Sequence, residues 1–554
     1  MKIKLHLIGY YIIYVMSILA VYLSQTQYTG LAMMGFGVAW FGRVYTEHLE
    51  DKNTDITLQT HWKHYVGGIS LLIFGGIADA IPFLGMLTSF AFVYWLFFWT
   101  KRNSSTEEYH KIIRGTSVED KTKLKKNNNN LIHIGAVEIP REIEPSHFLI
   151  AGGVGSGKSV AISEFLDSAR KRKQRAIVYD PTGEFVGRYY KKGDIILNPF
   201  DKRNSFWTPF CDVKSAIQIE SFASSLIPEG NSGTDPFWHL APRAILSAVL
   251  SKVTTMRELN YLIFSADEKI LIDVVKAAGK IGQVGSSETF KNVRAQLSAV
   301  CSSLRYIKDQ EDVEPISLSE FIKEDSDSWL FMSSQADYRD ELKPLISTWL
   351  DILIKKSLSL SVDRNRRLWF ILDEAASLQK ISAIQTGMAQ GRKYGLCFIL
   401  GLQTVSQFYE TYGKYGGETM LDLPQTKILM RLTNPETAKW ASDLIGERHV
   451  LIKAESESNG KQSSTSISDQ RATEQAILPS QIQKLANLTG YIKMPDENVF
   501  KFEQKYRERA EIADAFIDNN LTPFIHVTNT DDDDKDKQNN KKPKKQINSS
   551  IPDF

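Results

Sequence analysis

The stretch "HFLIAGGVGSGKSV", residues 147–160, decides the fold that we expect for this chain. Its glycines, lysine and serine follow the spacing G-x-x-x-x-G-K-[ST] of a phosphate-binding loop. The apolar run before the loop predicts a short buried strand, and the periodic apolar residues after it predict a helix. Glycines let the backbone curve so that its N–H groups face a phosphate, and the helix N-terminus adds positive potential. The stretch therefore predicts a nucleotide site in an α/β domain.

Two side chains of this loop have expected roles. Lys158 would reach the β- and γ-phosphates of ATP, and Ser159 would hold Mg²⁺. The residues expected to contact the nucleotide are Gly152, Gly153, Val154, Gly155, Ser156, Gly157, Lys158 and Ser159.

A second stretch, "LWFILDEAASL" (residues 368–378), is an apolar run that ends in two acids. This pattern is typical of a buried parallel strand whose carboxyl end reaches a nucleotide. Asp373 would bind Mg²⁺, usually through water, and Glu374 would orient and deprotonate an attacking water. Combined with the phosphate loop, the two acids favour hydrolysis over binding alone.

Two polar residues near a third apolar run have two interpretations each. Gln403 ends the strand expected from "LCFILGLQTVSQF", where it is either an ordinary strand-end amide or a contact to the γ-phosphate. Arg392 lies in "AQGRKYG", where it is either a solvated surface residue or, in a ring of subunits, a group that reaches the neighbour's phosphates.

The composition limits the class of protein. A chain of 554 residues predicts two or three domains. The formal net charge of +2 argues against a uniformly basic nucleic-acid coat, so any DNA contact must be local. The three cysteines lie far apart and indicate neither a zinc site nor a disulfide framework.

The N-terminal part predicts membrane insertion. Residues 5–23 contain no acidic or basic charge and are long enough to span a bilayer, and further apolar blocks occupy residues 31–42 and 66–100. Lysines that follow residue 100 mark the cytoplasmic side. Both termini are then cytoplasmic, which requires an even number of membrane crossings, two or four.

Several stretches together resemble the conjugative type IV coupling proteins, the TraD/TrwB family, and most strongly its F-type TraD branch. They include "VYDPTGEFVGRYY", "DPFWHLAPRAI", "RNRRLWFILDE" and "GRKYGLCFILGLQTVSQFYETYG", and the resemblance covers roughly residues 112–506. It implies an α/β fold: a RecA-like P-loop NTPase domain with an inserted all-α domain and an N-terminal transmembrane helical region.

The expected organisation follows from this resemblance and from the changes in composition. The expected parts are a transmembrane region (1–100), a basic juxtamembrane linker (101–130), a RecA-like domain (131–204 and 324–524), an inserted all-α domain (205–323) and a disordered charged tail (525–554).

The resemblance also implies residue roles and an activity. The implied roles are phosphate binding by Lys158, Mg²⁺ binding by Ser159 and Asp373, catalysis by Glu374, γ-phosphate sensing by Gln403 and an arginine finger donated in trans by Arg392. The implied activity is that of a hexameric, Mg²⁺-dependent ATPase that moves DNA.

The partners implied by the resemblance are other copies of the chain, non-specific single- and double-stranded DNA, relaxase and relaxosome proteins, and a type IV secretion channel. Asp553 and Phe554 resemble the acidic, phenylalanine-ended tail that docks a relaxosome protein. Two alternatives are a nucleotide-stabilised receptor or assembly scaffold that does not pump, and a chromosome-type DNA pump. Glu374 favours an enzyme over the scaffold, because a scaffold needs no water-activating base.

Overall fold

The computed structural model describes residues 110–122, 131–230, 235–310, 312–458 and 464–520. The predicted transmembrane region, most of the basic linker and the charged tail with Asp553 and Phe554 lie outside these residues. Among the helices of the described part, none combines the length and the apolar character that crossing a membrane requires.

The strands of the described part are β1 (His110–Gly115), β2 (Val118–Lys121), β3 (Ile132–Ile134), β4 (Val137–Ile139), β5 (Phe148–Ala151), β6 (Arg175–Asp180), β7 (Ile195–Leu197), β8 (Leu330–Ser333), β9 (Leu368–Leu372), β10 (Leu396–Leu402), β11 (Thr426–Leu429), β12 (Glu447–Ser458), β13 (Ser464–Gln475), β14 (Thr489–Lys493) and β15 (Val499–Glu503).

Ten of these strands form one mixed sheet in the order β2-β15-β14-β11-β5-β10-β9-β6-β8-β7. The seven strands from β11 to β7 in this order run parallel to one another, whereas β14 is antiparallel to both of its neighbours. Every residue of β5, β9 and β10 is buried, as expected of strands covered on both faces.

The register aligns the carboxyl ends of the central strands. Ala151 at the end of β5 pairs with Leu402 at the end of β10. Leu372 at the end of β9 pairs with Leu400, two residues before the end of β10. The residues that follow these three strands therefore meet at one edge of the sheet.

The α-helices of the described part are α1 (Lys158–Lys171), α2 (Glu184–Tyr189), α3 (Pro209–Asp212), α4 (Ala216–Leu226), α5 (Phe237–Leu250), α6 (Met256–Asn260), α7 (Glu268–Ala277), α8 (Ser287–Val300), α9 (Leu318–Lys323), α10 (Arg339–Ser357), α11 (Ser382–Gln390), α12 (Val405–Asp422), α13 (Pro435–Ile445) and α14 (Pro479–Gln483).

The two faces of the sheet bury separate cores. Phe148 and Ile150 of β5 pack with Phe165 of α1 in one core. Leu149 of β5 belongs to the other core, which continues into the helical segment between β7 and β8 through residues such as Leu246. Each buried side chain of this kind contributes about 1.5–3 kcal/mol relative to an exposed one. The helical segment is therefore packed continuously onto the sheet.

The polar composition of residues 454–475 predicts a mobile surface loop, but the structure has strands there. The described residues of this segment belong to β12 and β13, which form a three-stranded sheet with β1 in the order β1-β12-β13. The expectation was wrong because strand pairing depends on backbone hydrogen bonds, which polar residues supply as well as apolar ones. The described residues 452–458 and 464–468 belong to a compact unit other than the one that carries the ten-stranded sheet.

A strained histidine sits at the start of β5. His147 is 2% exposed and has a φ of 65°, which is uncommon for a residue other than glycine. The Phe398 N–H donates to its Nδ1 (3.2 Å), so Nε2 carries the proton and donates to the Met388 carbonyl (2.8 Å). Burial lowers the pKa of this imidazole to about 4; the Met388 hydrogen bond opposes the shift and nearby Arg392 adds to it.

This histidine should make the fold sensitive to acid. Unfolded, it binds a proton near pH 6.5, whereas folded it resists protonation down to about pH 4. Its contribution to stability is therefore complete above pH 6.5 and is lost as the pH falls towards 4. We expect the thermal unfolding midpoint of the unmodified protein to fall more steeply between pH 7 and pH 4.5 than the midpoint of the His147→Asn variant. Asn is the chosen replacement because it tolerates a positive φ but does not titrate.

The comparison with His147→Asn removes contributions that both proteins share. Burial raises the pKa of Asp180 to about 6, so the pH dependence of this carboxyl group is opposite to that of His147. Its contribution to folding stability falls as the pH rises from 3.8 towards 6. Equal slopes for the two proteins would contradict the assignment to His147.

Candidate nucleotide site

The phosphate loop joins β5 to α1 through six residues whose backbone curves tightly. Gly155 and Gly157 have φ of 70° and 106°, in the left-handed region that glycine adopts without strain. The N–H groups of Gly155, Gly157 and Lys158 donate to no acceptor within the described part of the chain. Unsatisfied N–H groups at a helix N-terminus are suited to bind an anion such as phosphate.

Backbone hydrogen bonds fix this loop to three neighbours. Gly152 N–H donates to the Leu402 carbonyl (3.0 Å), and Gly153 N–H donates to the Arg431 carbonyl (2.9 Å). Ser156 is fully buried beneath the loop, and its carbonyl accepts from the Leu488 N–H (2.9 Å). A Cβ at position 152 would lie 2.4 Å from the Ser156 hydroxyl oxygen, so only glycine fits there.

The loop lysine and the first acid after β9 are in contact. Lys158 Nζ lies 3.2 Å from Asp373 Oδ1 and donates to the Asp373 carbonyl at 2.7 Å. Both side chains are 11% exposed. In this position each can reach a phosphate group or a hydrated Mg²⁺ between the loop and β9.

A glycine that we did not predict makes this contact possible. A Cβ at Gly401 on β10 would lie 1.8 Å from the Asp373 carbonyl oxygen, the oxygen that accepts from Lys158. Its sequence signal was a lone glycine within the apolar run "LCFILGL", which marks the close approach of another backbone.

The second acid and the glutamine lie beside this pair. Gln403 Nε2 donates to Glu374 Oε1 at 3.2 Å. The Ser377 hydroxyl donates to the Glu374 carbonyl at 2.7 Å and lies 2.9 Å from the hydroxyl oxygen of Tyr179. Burial raises the pKa of Tyr179 to about 12, which keeps it a neutral hydrogen-bonding group. Glu374 is therefore held at its backbone and oriented at its carboxylate.

A further carboxylate at this edge was missed by the sequence analysis. Asp180 ends β6, is fully buried, and accepts from the N–H groups of Gly183, Phe185 and Val186. Nearby Asp373 adds to the upward pKa shift that burial causes. The run "VYDPTGEF" contained the signal, because an Asp before a turn commonly accepts N–H bonds from the residues that follow. Asp180 holds α2 against the edge on which the candidate site lies.

Ser159 lies close to the group formed by the phosphate loop, Asp373, Glu374 and Gln403, whereas Arg392 lies far from it. Ser159 follows Lys158 in the first turn of α1. Arg392 lies in the 3-10 turn Gly391–Tyr394, which precedes β10. The seven residues of β10 separate it from Gln403, a length of about 23 Å at roughly 3.3 Å per residue. The structure thus brings the loop, both acids and Gln403 together at one edge of the sheet and leaves Arg392 at the other.

The site has the character expected of a Mg²⁺–nucleotide site. Three or more His, Cys, Asp or Glu side chains grouped like metal ligands do not occur in the described part of the chain. Mg²⁺ in nucleotide sites is commonly held by one or two protein groups together with phosphates and waters, and Ser159 and Asp373 fit this requirement.

Comparison with known proteins identifies relatives. A family profile described as the type IV secretion-system coupling protein DNA-binding domain matches residues 131–503. Coupling protein TraD of Escherichia coli (strain K12) is 30% identical over 473 residues, which cover 81% of this chain and 65% of that protein. Conjugal transfer protein TraG of Rhizobium radiobacter is 22% identical over 376 residues, which cover 61% of this chain and 58% of that protein. This chain thus spans less than two thirds of either relative.

Solved structures have the same fold. The unbound bacterial conjugative coupling protein TrwBdeltaN70 matches with a TM-score of 0.65 and 26% identity, over 74% of this chain and 97% of that chain. Plasmid coupling protein TrwB in complex with ADP and Mg²⁺ gives the same TM-score, identity and coverage.

These matches confirm the α/β NTPase fold and the family resemblance that the sequence predicts. Since the family profile covers more than half of its length, this chain belongs to the type IV secretion-system coupling proteins.

Proposed function

We propose that this protein is a Mg²⁺-dependent ATPase that works as a ring of subunits to move DNA. The observation that supports hydrolysis most directly is the pairing of Glu374 with Gln403 beside Lys158 and Asp373. A site that only bound nucleotide would have no use for an oriented carboxylate beside its phosphate-binding lysine.

The chemistry assigns one task to each side chain. Lys158 and the loop N–H groups bind the β- and γ-phosphates, and Ser159 and Asp373 hold Mg²⁺, which neutralises phosphate charge when bound. Glu374 accepts a proton from the attacking water while the water oxygen forms a bond to the γ-phosphorus. The bond to the bridging oxygen then breaks, leaving ADP and phosphate. Gln403 orients Glu374 and reports the state of the γ-phosphate.

The position of Arg392 favours a ring. It is exposed at the amino ends of the parallel strands, whereas Lys158 lies at the carboxyl ends. An arginine on the far edge of its own sheet serves a neighbouring subunit when identical subunits pack head to tail and close into a ring. A homo-hexamer, as the family resemblance implies, places one such arginine at each of its interfaces.

The biological role that we propose is that of the family. The protein, anchored in the bacterial inner membrane, would bring relaxase-bound single-stranded DNA to a type IV secretion channel during conjugation. The relatives named coupling protein and conjugal transfer protein support this role. The receptor or scaffold alternative shares the nucleotide site but requires no hydrolysis.

Changing Lys158 to Thr separates the motor from the scaffold. The variant loses the charge that contacts the phosphates, so ATP hydrolysis should fall on the order of 10²-fold or more. DNA transfer between cells should fall with it, while membrane insertion is unchanged. A matched control is Lys171→Thr, in the last turn of the same helix. Normal transfer by a Lys158→Thr protein without ATPase activity would favour the scaffold.

Mixing two inactive variants tests the role of Arg392 in trans. Arg392→Ala should bind ATP but hydrolyse it on the order of 10³-fold more slowly. Glu374→Gln should be inactive for a different reason, since it lacks the base. In an equal mixture about one quarter of the head-to-tail interfaces combine an intact Glu374 with an intact Arg392, so activity should return. If mixed rings form and no proportion of the two variants recovers hydrolysis, Arg392 does not act in trans.

A further inference from the structure

The edge of the sheet that carries Arg392 also contains a basic cleft. Three segments from distant parts of the sequence form it: the turn Arg141–Ser146 before β5, the loop before β9 and the turn Gly391–Tyr394 before β10. The cleft has a volume of about 960 Å³, within the range of small-molecule sites. Its lining residues are Arg141, Glu142, Pro145, Arg364, Asn365, Arg367, Ala389, Gln390, Arg392 and Lys393.

Positive charge dominates this cleft and is largely uncompensated. Glu142 is the one acidic residue among the lining residues, against four arginines and Lys393. Arg141, Arg364 and Arg392 are all exposed, and no ion pair or side-chain hydrogen bond joins them to any residue that the structure describes. Three such guanidinium groups around one concave space repel one another and favour an anion between them.

The fourth arginine holds the segments together. Arg367 forms an ion pair with Glu144, which is fully buried (Nε to Oε2, 2.8 Å). Its other nitrogens donate to the carbonyls of Arg141 (2.9 Å) and Arg364 (2.7 Å). Arg367 thus ties together the backbones that carry two of the exposed arginines.

Two hydrogen bonds join the third segment to this assembly. Asp363 N–H donates to the Lys393 carbonyl at 3.0 Å, and Arg366 Nη1 donates to the Tyr394 carbonyl at 3.3 Å. The turn that carries Arg392 is therefore fixed relative to the loop that carries Arg364. A charged cluster whose backbone is fixed in advance loses little entropy when it binds an anion.

We propose that Arg364 and Arg141 act with Arg392 on the same anion, the triphosphate bound by the neighbouring subunit. This inference rests on the proposed function, since it assumes that Arg392 serves the neighbour's site. A concave cleft of this size suits a compact polyphosphate, whereas a DNA strand is bound by a groove that follows its backbone over several nucleotides. One planar guanidinium group can bind two phosphate oxygens at once, so three of these groups can bind the oxygens of both the β- and the γ-phosphate.

The test uses the full-length protein in lipid nanodiscs without DNA. Arg364→Ala should lower kcat for ATP hydrolysis on the order of tenfold or more. Binding of a fluorescent ATP analogue should change less than twofold, because each subunit's own phosphate loop is intact. Arg364→Lys should recover part of the rate. The matched control is Arg257→Ala, an exposed arginine of the inserted helical segment, which should leave kcat unchanged.

Mixing experiments identify the side of the interface on which Arg364 acts. Arg364→Ala mixed with Glu374→Gln should regain activity, because the two defects lie on opposite sides of an interface. Arg364→Ala mixed with Arg392→Ala should regain none, because both defects lie on the same side. An unchanged kcat, or a loss seen only when DNA is added, would overturn the proposal; the second result would assign the cleft to DNA.

Failure of this inference is distinct from failure of the proposed function. If Arg392→Ala is complemented by Glu374→Gln and Arg364→Ala keeps the normal kcat, the proposed role of Arg392 in trans holds. The proposal that Arg364 and Arg141 act together with Arg392 is then wrong. If the unmodified protein hydrolyses no ATP, the proposed function itself is wrong.

Discussion

The parallel pairing of β5 with β10 and of β10 with β9 is the constraint on which the site depends. It aligns the strand ends so that the phosphate loop, Asp373 and Gln403 follow the sheet at one edge. The contact between Lys158 and Asp373 requires a further condition, namely a glycine at 401 that lets the Asp373 carbonyl approach β10. A substitution that displaced β10 would therefore disturb the loop, both acids and the glutamine together.

The same strands separate two kinds of charge. Carboxylates and the phosphate loop occupy the carboxyl edge, whereas exposed arginines occupy the amino edge. His147 and the buried Glu144 stabilise the amino edge, the first by joining β5 to α11 and β10, the second by pairing with both Arg172 and Arg367. In the function that we propose, a single subunit presents the two halves of a hydrolytic site on opposite edges, and a ring of subunits would bring the halves together.

The fold was predictable from sequence where local pattern and burial agree. The apolar runs before Lys158, Asp373 and Gln403 predict buried strands, because a strand that is buried on both faces has no polar alternation. The structure has β5, β9 and β10 at these positions. The strands within residues 447–475 escaped prediction because polar residues carry no burial signal. The arginine cleft escaped it as well, since Arg141 and Arg364 are more than 200 positions apart and their proximity depends on strand order. Glycine 401 was visible in the sequence, but the carbonyl that it accommodates was not.

The most direct test of this account is the rate of ATP hydrolysis per subunit as a function of protein concentration, with ring formation followed by mass photometry in the same samples. If each site is completed by a neighbour's arginines, isolated subunits should bind ATP with little hydrolysis. The rate per subunit should then rise as rings assemble, and rise further when single-stranded DNA is added. A rate per subunit that stays constant down to concentrations at which only monomers are present would contradict the account, because one chain would then hold a complete site.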